Sequence, residues 1–373
     1  MEPLTLNREV LAWATHKAGL TPEDFAASVA TRDTARELVV RGHLTPAQAA
    51  KLAKKANIPF GYLFLSEPPE LARPSIPDLR QVQHAEPLSD NFYELLGDVF
   101  ARQDWFRDYL SDGGERPLPF VGSFKQANMR DVPKVILDIR QKIGLSDHDR
   151  RTSPDPGTYF SRLGEKIEAA GVLVMKASFV KSATRRPLSE REFRGFALAD
   201  PIVPVIFVNG RDAETAAVFT LLHELAHIWI GVSGVTDLAP APNSQTERVC
   251  NAIAGELLVP AGDFLERWTG AGSIDREATY FRVSRLVIAR RALDLGLADQ
   301  ALYDEVARNT KPARKSGPVS GLVTIPIRNS KRLTRTVVAE AMSGNTLLRD
   351  AAALLNVRPD TIVSLARERK KDA

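Results

Sequence analysis

Cysteine is almost missing: Cys250 is the single one in 373 residues. A lone thiol excludes an intramolecular disulfide, a cysteine-based zinc finger and an iron–sulfur cluster. It suits a reducing compartment. Cys250 itself reads as a small buried apolar residue. Histidine is scarce, six in all, and aromatics make up only 7%. No apolar run is long enough to cross a bilayer. The longest, Ala216 to Val232, is interrupted by His223, Glu224 and His227 and falls short of the roughly 20 residues needed. The opening MEPLTLNREVLAW has no basic patch followed by an apolar stretch, so no signal peptide is expected. The expected setting is cytoplasmic, with no membrane partner.

What is present is ordinary globular material: 44% apolar and 26% charged residues. Length alone predicts two or three domains. The net charge of +4 is unevenly placed. Lys311 to Ala373 holds 13 Lys and Arg against 5 Asp and Glu, so residues 1–310 are net acidic. A basic tail on an acidic body is compatible with nucleic-acid contact and equally with a solubilising role.

Residues 7–66 read as short helices. Thr21-Pro22-Glu23-Asp24 and Thr45-Pro46-Ala47-Gln48 are helix starts, and Pro59 to Leu65 forms a closing turn. This arrangement resembles a degenerate Xre-type helix-turn-helix domain. Its DNA-reading stretch, about Thr31 to Arg41, mixes Arg32, Arg36 and Arg41 with Asp33 and Glu37, which favours a scaffold for protein contact over a DNA reader. Ser66 to Pro77 is a proline-spaced linker. Helices are expected over Ser89–Tyr109, Met129–Ile143 and Tyr159–Ala170.

Strands are then expected at Gly171–Met175, Phe193–Leu198 and Pro204–Val208, turned off by Asn209-Gly210. Helices follow at Ala213–Gly231, Thr246–Leu258 and Ser284–Asp294, with a loop over Gly231–Ser244. Beyond a Lys/Pro/Gly-rich linker, Lys311 to Pro318, three short helices span Leu333–Met342, Thr346–Leu355 and Asp360–Arg369. Ala352, Ala353, Leu355, Val357, Ile362 and Leu365 fit the apolar skeleton of a helix-turn-helix, or of a packing module with no DNA role. The domain organisation is therefore 1–66, an Xre-like helical domain; 67–157, a proline-rich linker and helical connector; 158–310, the domain carrying the strands; and 311–373, a basic helical domain.

The chemistry is concentrated in Leu222-His223-Glu224-Leu225-Ala226-His227-Ile228, an H-E-x-x-H on an expected helix. At i and i+4 both imidazoles leave one helix face, one turn apart. They can share one Zn²⁺, with Glu224 beside them, where its carboxylate can hold the metal-bound water. Buried, satisfied core histidines are the bland alternative. Three polar side chains inside an apolar helix weigh against it, because each would cost about 2–7 kcal/mol unpartnered. A catalytic zinc needs a third ligand. Glu247, on a helix returning after the loop, is favoured, and Glu256 is the alternative. Asn251, one turn beyond Glu247, is placed to accept a histidine N–H and fix its tautomer. Arg194, Tyr280 and Arg282 are candidate donors to an oxyanion. An extended substrate is expected to pair with a strand near the helix, within Phe193–Ala199 or Pro204–Val208.

The run FRGFALADPIVPVIFVNGRDAETAAVFTLLHELAHIWIG followed by TERVCNAIAGELLVP resembles the ImmA/IrrE family of metallo-endopeptidases. The resemblance covers about Gly171 to Leu295, roughly a third of the chain, and departs at Ile253, where an aromatic is common. It implies an α+β, mostly helical fold: a zincin-like metallopeptidase core for 158–310 with a small three-stranded sheet, flanked by helical N- and C-terminal domains. It implies one Zn²⁺ per chain held by His223, His227 and Glu247, with Glu224 as base. It also implies an intracellular endopeptidase whose substrate is a regulatory protein, typically a DNA-binding repressor, in a stress, mobile-element or phage-defence circuit. The alternative is a DNA-binding regulator or antitoxin-like member of a toxin–antitoxin-type gene pair, using the zincin domain only for binding.

Overall fold

The computed structural model describes residues 3–56, 58–69, 74–80, 87–236, 244–309 and 321–369. Half of the expected 231–244 loop, part of the proline-spaced linker and the whole 311–318 linker lie outside them. The chain forms two compact units, Met1–Arg73 and Pro74–Ala373. No described helix is long and apolar enough to cross a membrane.

The first unit holds helices α1 (Arg8–Lys17), α2 (Pro22–Val29), α3 (Asp33–Val40) and α4 (Pro46–Ala56). It also has the two-residue strands β1 (Leu4–Thr5) and β2 (His43–Leu44) and a 3-10 turn at Phe60–Phe64. Its starts are those the sequence announces. Thr21 and Asp24 form a reciprocal capping box, and Thr45 and Gln48 exchange equivalent bonds. Leu11, Phe25, Leu44, Leu52 and Leu63 close a small core. On α3, Arg36 pairs with Asp33 and Arg41 with Glu37, so two of the three arginines there are matched by neighbouring acids.

The second unit opens with α5 (Asp90–Asp112), α6 (Val132–Ile143), α7 (Asp147–Arg151) and α8 (Pro156–Ala169). Then come strands β3 (Leu173–Ala177), β4 (Gly195–Leu198) and β5 (Val205–Asn209), helix α9 (Glu214–Ile230) and strand β6 (Gly234–Thr236). Helices α10 (Gln245–Leu258), α11 (Ala261–Arg267), α12 (Ile274–Phe281), α13 (Arg285–Asp294) and α14 (Gln300–Asn309) follow. The last are α15 (Gly321–Arg328), α16 (Lys331–Met342), α17 (Leu348–Leu354) and α18 (Pro359–Arg369).

The sheet has four strands, not three, in the order β3-β5-β4-β6. The additional strand, β6, lies in the segment read as a loop; three residues are too few to display an alternating pattern. β3 and β5 are parallel, and β4 runs antiparallel to both of its neighbours. The expected substrate-pairing strands, β4 and β5, are therefore interior and have no free edge. The edges are β3 and β6. The outer side of β6 is already occupied: Val235 N–H donates to Pro77 O at 2.9 Å and Leu79 N–H to Val235 O at 3.0 Å. The backbone of Pro77–Leu79 thus lines this edge.

Both faces of the sheet are covered, which is why its strands are mostly apolar on both sides, with Lys176, Asn209 and Thr236 as the polar exceptions. Val174, Ala197, Ile206 and Val208 face the core shared with α6, α8, α9 and α10. Leu173, Met175, Phe196, Phe207 and Val235 face a second core built with α5 and α15–α18. In that core Phe196 stacks on Phe207 at 5.0 Å.

Candidate metal centre

Helix α9 carries the motif. It opens with Glu214 in its first turn and ends at Gly231, whose φ of +77° gives the left-handed cap that returns a backbone N–H to His227 O. Gly231 is also required sterically, because a Cβ there would lie 2.7 Å from Gly122 Cα. Small residues on β4, Gly195 and Ala197, let the helix lie close against the sheet. Helix α10 packs along α9 and ends before Pro260.

Together these elements bring three side chains to one point. His223 Nε2 and His227 Nε2 are 3.1 Å apart. Glu247, from α10, places Oε2 3.2 Å from His223 Nε2 and Oε1 3.1 Å from His227 Nε2. His223, His227 and Glu247 are the group of potential metal ligands among the described residues, and all three are buried. In a tetrahedral site with ligand atoms about 2.0–2.1 Å from zinc, those atoms lie about 3.3 Å from one another. The Nε2–Nε2 separation fits that edge length, and each imidazole nitrogen has one Glu247 oxygen at the same range. Two imidazole nitrogens aimed at each other beside a carboxylate, all out of water, also constitute a donor set that a cation satisfies.

The electrostatics follow from burial and proximity. Burial works against the charge of Glu247, but the two imidazoles overcome it and hold its carboxyl down at about 2. Glu224 is fully buried, and burial pushes its carboxyl up to about 8 against the opposing pull of His223 and Thr236. Burial works against a charged His223, yet Glu247 and Glu224 raise its pKa; His227 is lowered, by burial first. Glu224 stands outside the three converging groups. Its Oε1 accepts a hydrogen bond from Thr236 Oγ1, and its Oε2 has no partner among the described residues.

The other expected residues separate clearly. Glu256 pairs with Arg291 and accepts the Ala261 N–H, so it serves the α10–α11 junction and α13. Asn251 lies close enough to His223 to raise its proton affinity, but its Oδ1 makes no hydrogen bond of normal geometry. Arg194 pairs with Asp212, Tyr280 donates to Asp263 at 3.2 Å, and Arg282 donates to Thr279 O at 3.0 Å. Among the described residues, none of the three oxyanion candidates makes its hydrogen bonds at the centre. Cys250 is buried, with its thiol pushed well up by burial. Thr236 is the residue that sequence reading missed: it falls in an apparent loop, and only strand pairing brings it to Glu224.

No curated protein and no solved structure matches the chain. Residues 329–368 match a domain of unknown function (DUF8813). Residues 167–293 match the family model Peptidase_M78, described as the IrrE N-terminal-like domain. That segment contains β3 to α12, most of α13 and all of the converging side chains, and the match supports the ImmA/IrrE family and a metallopeptidase-type function for it.

Proposed function

We propose that this protein is a zinc-dependent endopeptidase acting in the cytoplasm on a regulatory protein, a DNA-binding repressor of a stress, mobile-element or phage-defence circuit. The supporting observation is the convergence of His223, His227 and Glu247 to within 3.1–3.2 Å of one another, with Glu224 beside them. The substrate class rests on the ImmA/IrrE resemblance.

His223, His227 and Glu247 would hold the metal. Two neutral imidazoles and one carboxylate leave a bound dication with a net positive charge. When bound, such a metal polarises a peptide carbonyl and acidifies water. Glu224 takes the proton from the attacking water as the new C–O bond forms. It then returns the proton to the amide nitrogen as the C–N bond breaks. Its burial suits a base that must give the proton back.

The test is metal content beside proteolysis. Purified wild type is expected to hold about one zinc per chain, and His223→Ala and Glu247→Ala to lose it. Glu224→Gln is expected to keep its zinc and to cut a co-expressed repressor about a hundredfold more slowly, or worse. A wild type that takes up no metal when zinc is offered would overturn the proposal.

A further inference from the structure

Glu224 lies wholly buried between α9 and the sheet. A general base in that position needs its carboxylate plane fixed, because a proton moves only along an aligned hydrogen bond. Strand pairing supplies the fixture. Gly195 of β4 lies directly opposite Thr236 of β6, so both face the same side of the sheet. The Thr236 hydroxyl donates to Glu224 Oε1. A Cβ on Gly195 would lie 2.8 Å from that same oxygen, 2.7 Å from Thr220 Cγ2 and 2.9 Å from Phe207 O.

We propose that Thr236 is a positioning residue for Glu224: its hydroxyl fixes Oε1, the missing side chain of Gly195 leaves room for the carboxylate, and Oε2 is the oxygen that exchanges the proton. The inference rests on the metallopeptidase reading above.

Three observations carry it. A hydroxyl has one proton to donate, and the Gly195 carbonyl, 3.4 Å away, is the poorer acceptor. In the ionised form that acts as base, Glu224 is the stronger acceptor of the two. Second, Thr236 cannot swing away. Its own carbonyl accepts the Arg194 N–H at 3.0 Å, and its branched side chain has little freedom about χ1. Third, with Oε1 engaged, Oε2, which has no partner among the described residues, is left as the reactive oxygen. Proton balance is unchanged: Oε2 receives the proton of water and releases it to the departing nitrogen, while the threonine proton stays on Oγ1.

The experiment uses the zinc-loaded full chain and acetohydroxamic acid as probe. A hydroxamic acid that chelates a metal hands its proton to a neighbouring base. Its affinity therefore reads the placement of Glu224 without a peptide substrate. Thr236→Val, which keeps the shape and removes the donor, is expected to keep its zinc and to bind the probe about tenfold more weakly. Thr236→Ser, which restores the donor, is expected to recover most of the affinity. In a Glu224→Gln background the same Val substitution is expected to change little. Thr236→Ala replaces Val in each comparison if the Val variant does not fold. The proposal is overturned by wild-type affinity in the zinc-loaded donor-less variant. Equal losses in Val and Ser, which would mark a packing role, overturn it too, as does a full loss in the Glu224→Gln background. A wild type that holds no zinc overturns the metallopeptidase reading, and this inference with it, and is told apart by metal content alone.

Discussion

Four positions separate His223 from His227, close to one turn of helix. That interval is why the pair is legible in the sequence: any helix through these residues sets both imidazoles on one face. Glu247 is legible more weakly, through a loop and a returning helix of sufficient length. Glu256 fits the same argument, and the two are separated only in the fold, where Glu247 meets both imidazoles and Glu256 pairs with Arg291. Thr236 and Gly195 are not legible. Their meeting depends on the register of two strands 41 residues apart, and β6 has no pattern of its own. Gly195 carries a prediction at this scale. Gly195→Ala places its Cβ against a backbone carbonyl and a carboxylate, so relief by side-chain rotation is limited. We expect a loss of about 1–3 kcal/mol in denaturant unfolding, the usual range for overpacking. Wild-type stability in that variant would mean that β4 and α9 can separate at little cost.

Among the elements, the long helices are read well because their signals are local: Ser89 caps α5, Gly144 closes α6, Ser284 caps α13, and Gly231 ends α9. Of the three longer strands, β3 and β5 are found as continuous apolar runs bounded by Gly and Pro, and β4 by the alternation of Phe193–Leu198. Strand order is a different matter. Nothing in the residues of β4 and β5 says that they are interior, or that Pro77–Leu79 pairs with the outer edge of β6. Gly234 governs that pairing. A Cβ there would lie 2.3 Å from Leu79 Cδ1 and 3.2 Å from Pro77 O, so the segment rests directly on the glycine. Gly234→Ala is expected to lift the segment while leaving α9 in place. Amide exchange of Leu79 and Val235 should accelerate about tenfold or more, the loss of a modest local stability, with α9 amides unchanged. Unchanged exchange at those two amides would show that Leu79 rotates aside and the pairing survives.

For the whole molecule, the centre is held from the far side as well as the near one. The first core supports α9 and α10 directly; the second presses on the opposite face of the same sheet. The apolar positions Ala352, Leu355, Ile362 and Leu365 are visible in the sequence as a helical skeleton, but which surface they cover is not. They belong to the core that buries Met175, Phe196 and Phe207. Polar ties support the same packing: Glu168 of α8 accepts from Ser330 and from the Arg332 N–H at the start of α16, and Arg102 of α5 donates to Leu354 O. Ile325, Leu333, Val337, Val338, Leu355, Ile362 and Leu365 are all buried there. At about 1.5–3 kcal/mol for each such side chain, their removal costs roughly as much as the 5–15 kcal/mol net stability of a typical protein. The estimate stays comparable even if half of that burial is among the helices themselves. A chain ended after Asn309 should therefore lose its cooperative thermal transition, bind a hydrophobic dye through the uncovered sheet face, and fail to hold zinc, although every expected ligand is still present. A shortened chain that melts within a few degrees of the full one and keeps its metal would instead make the C-terminal helices an accessory to the centre rather than part of its frame.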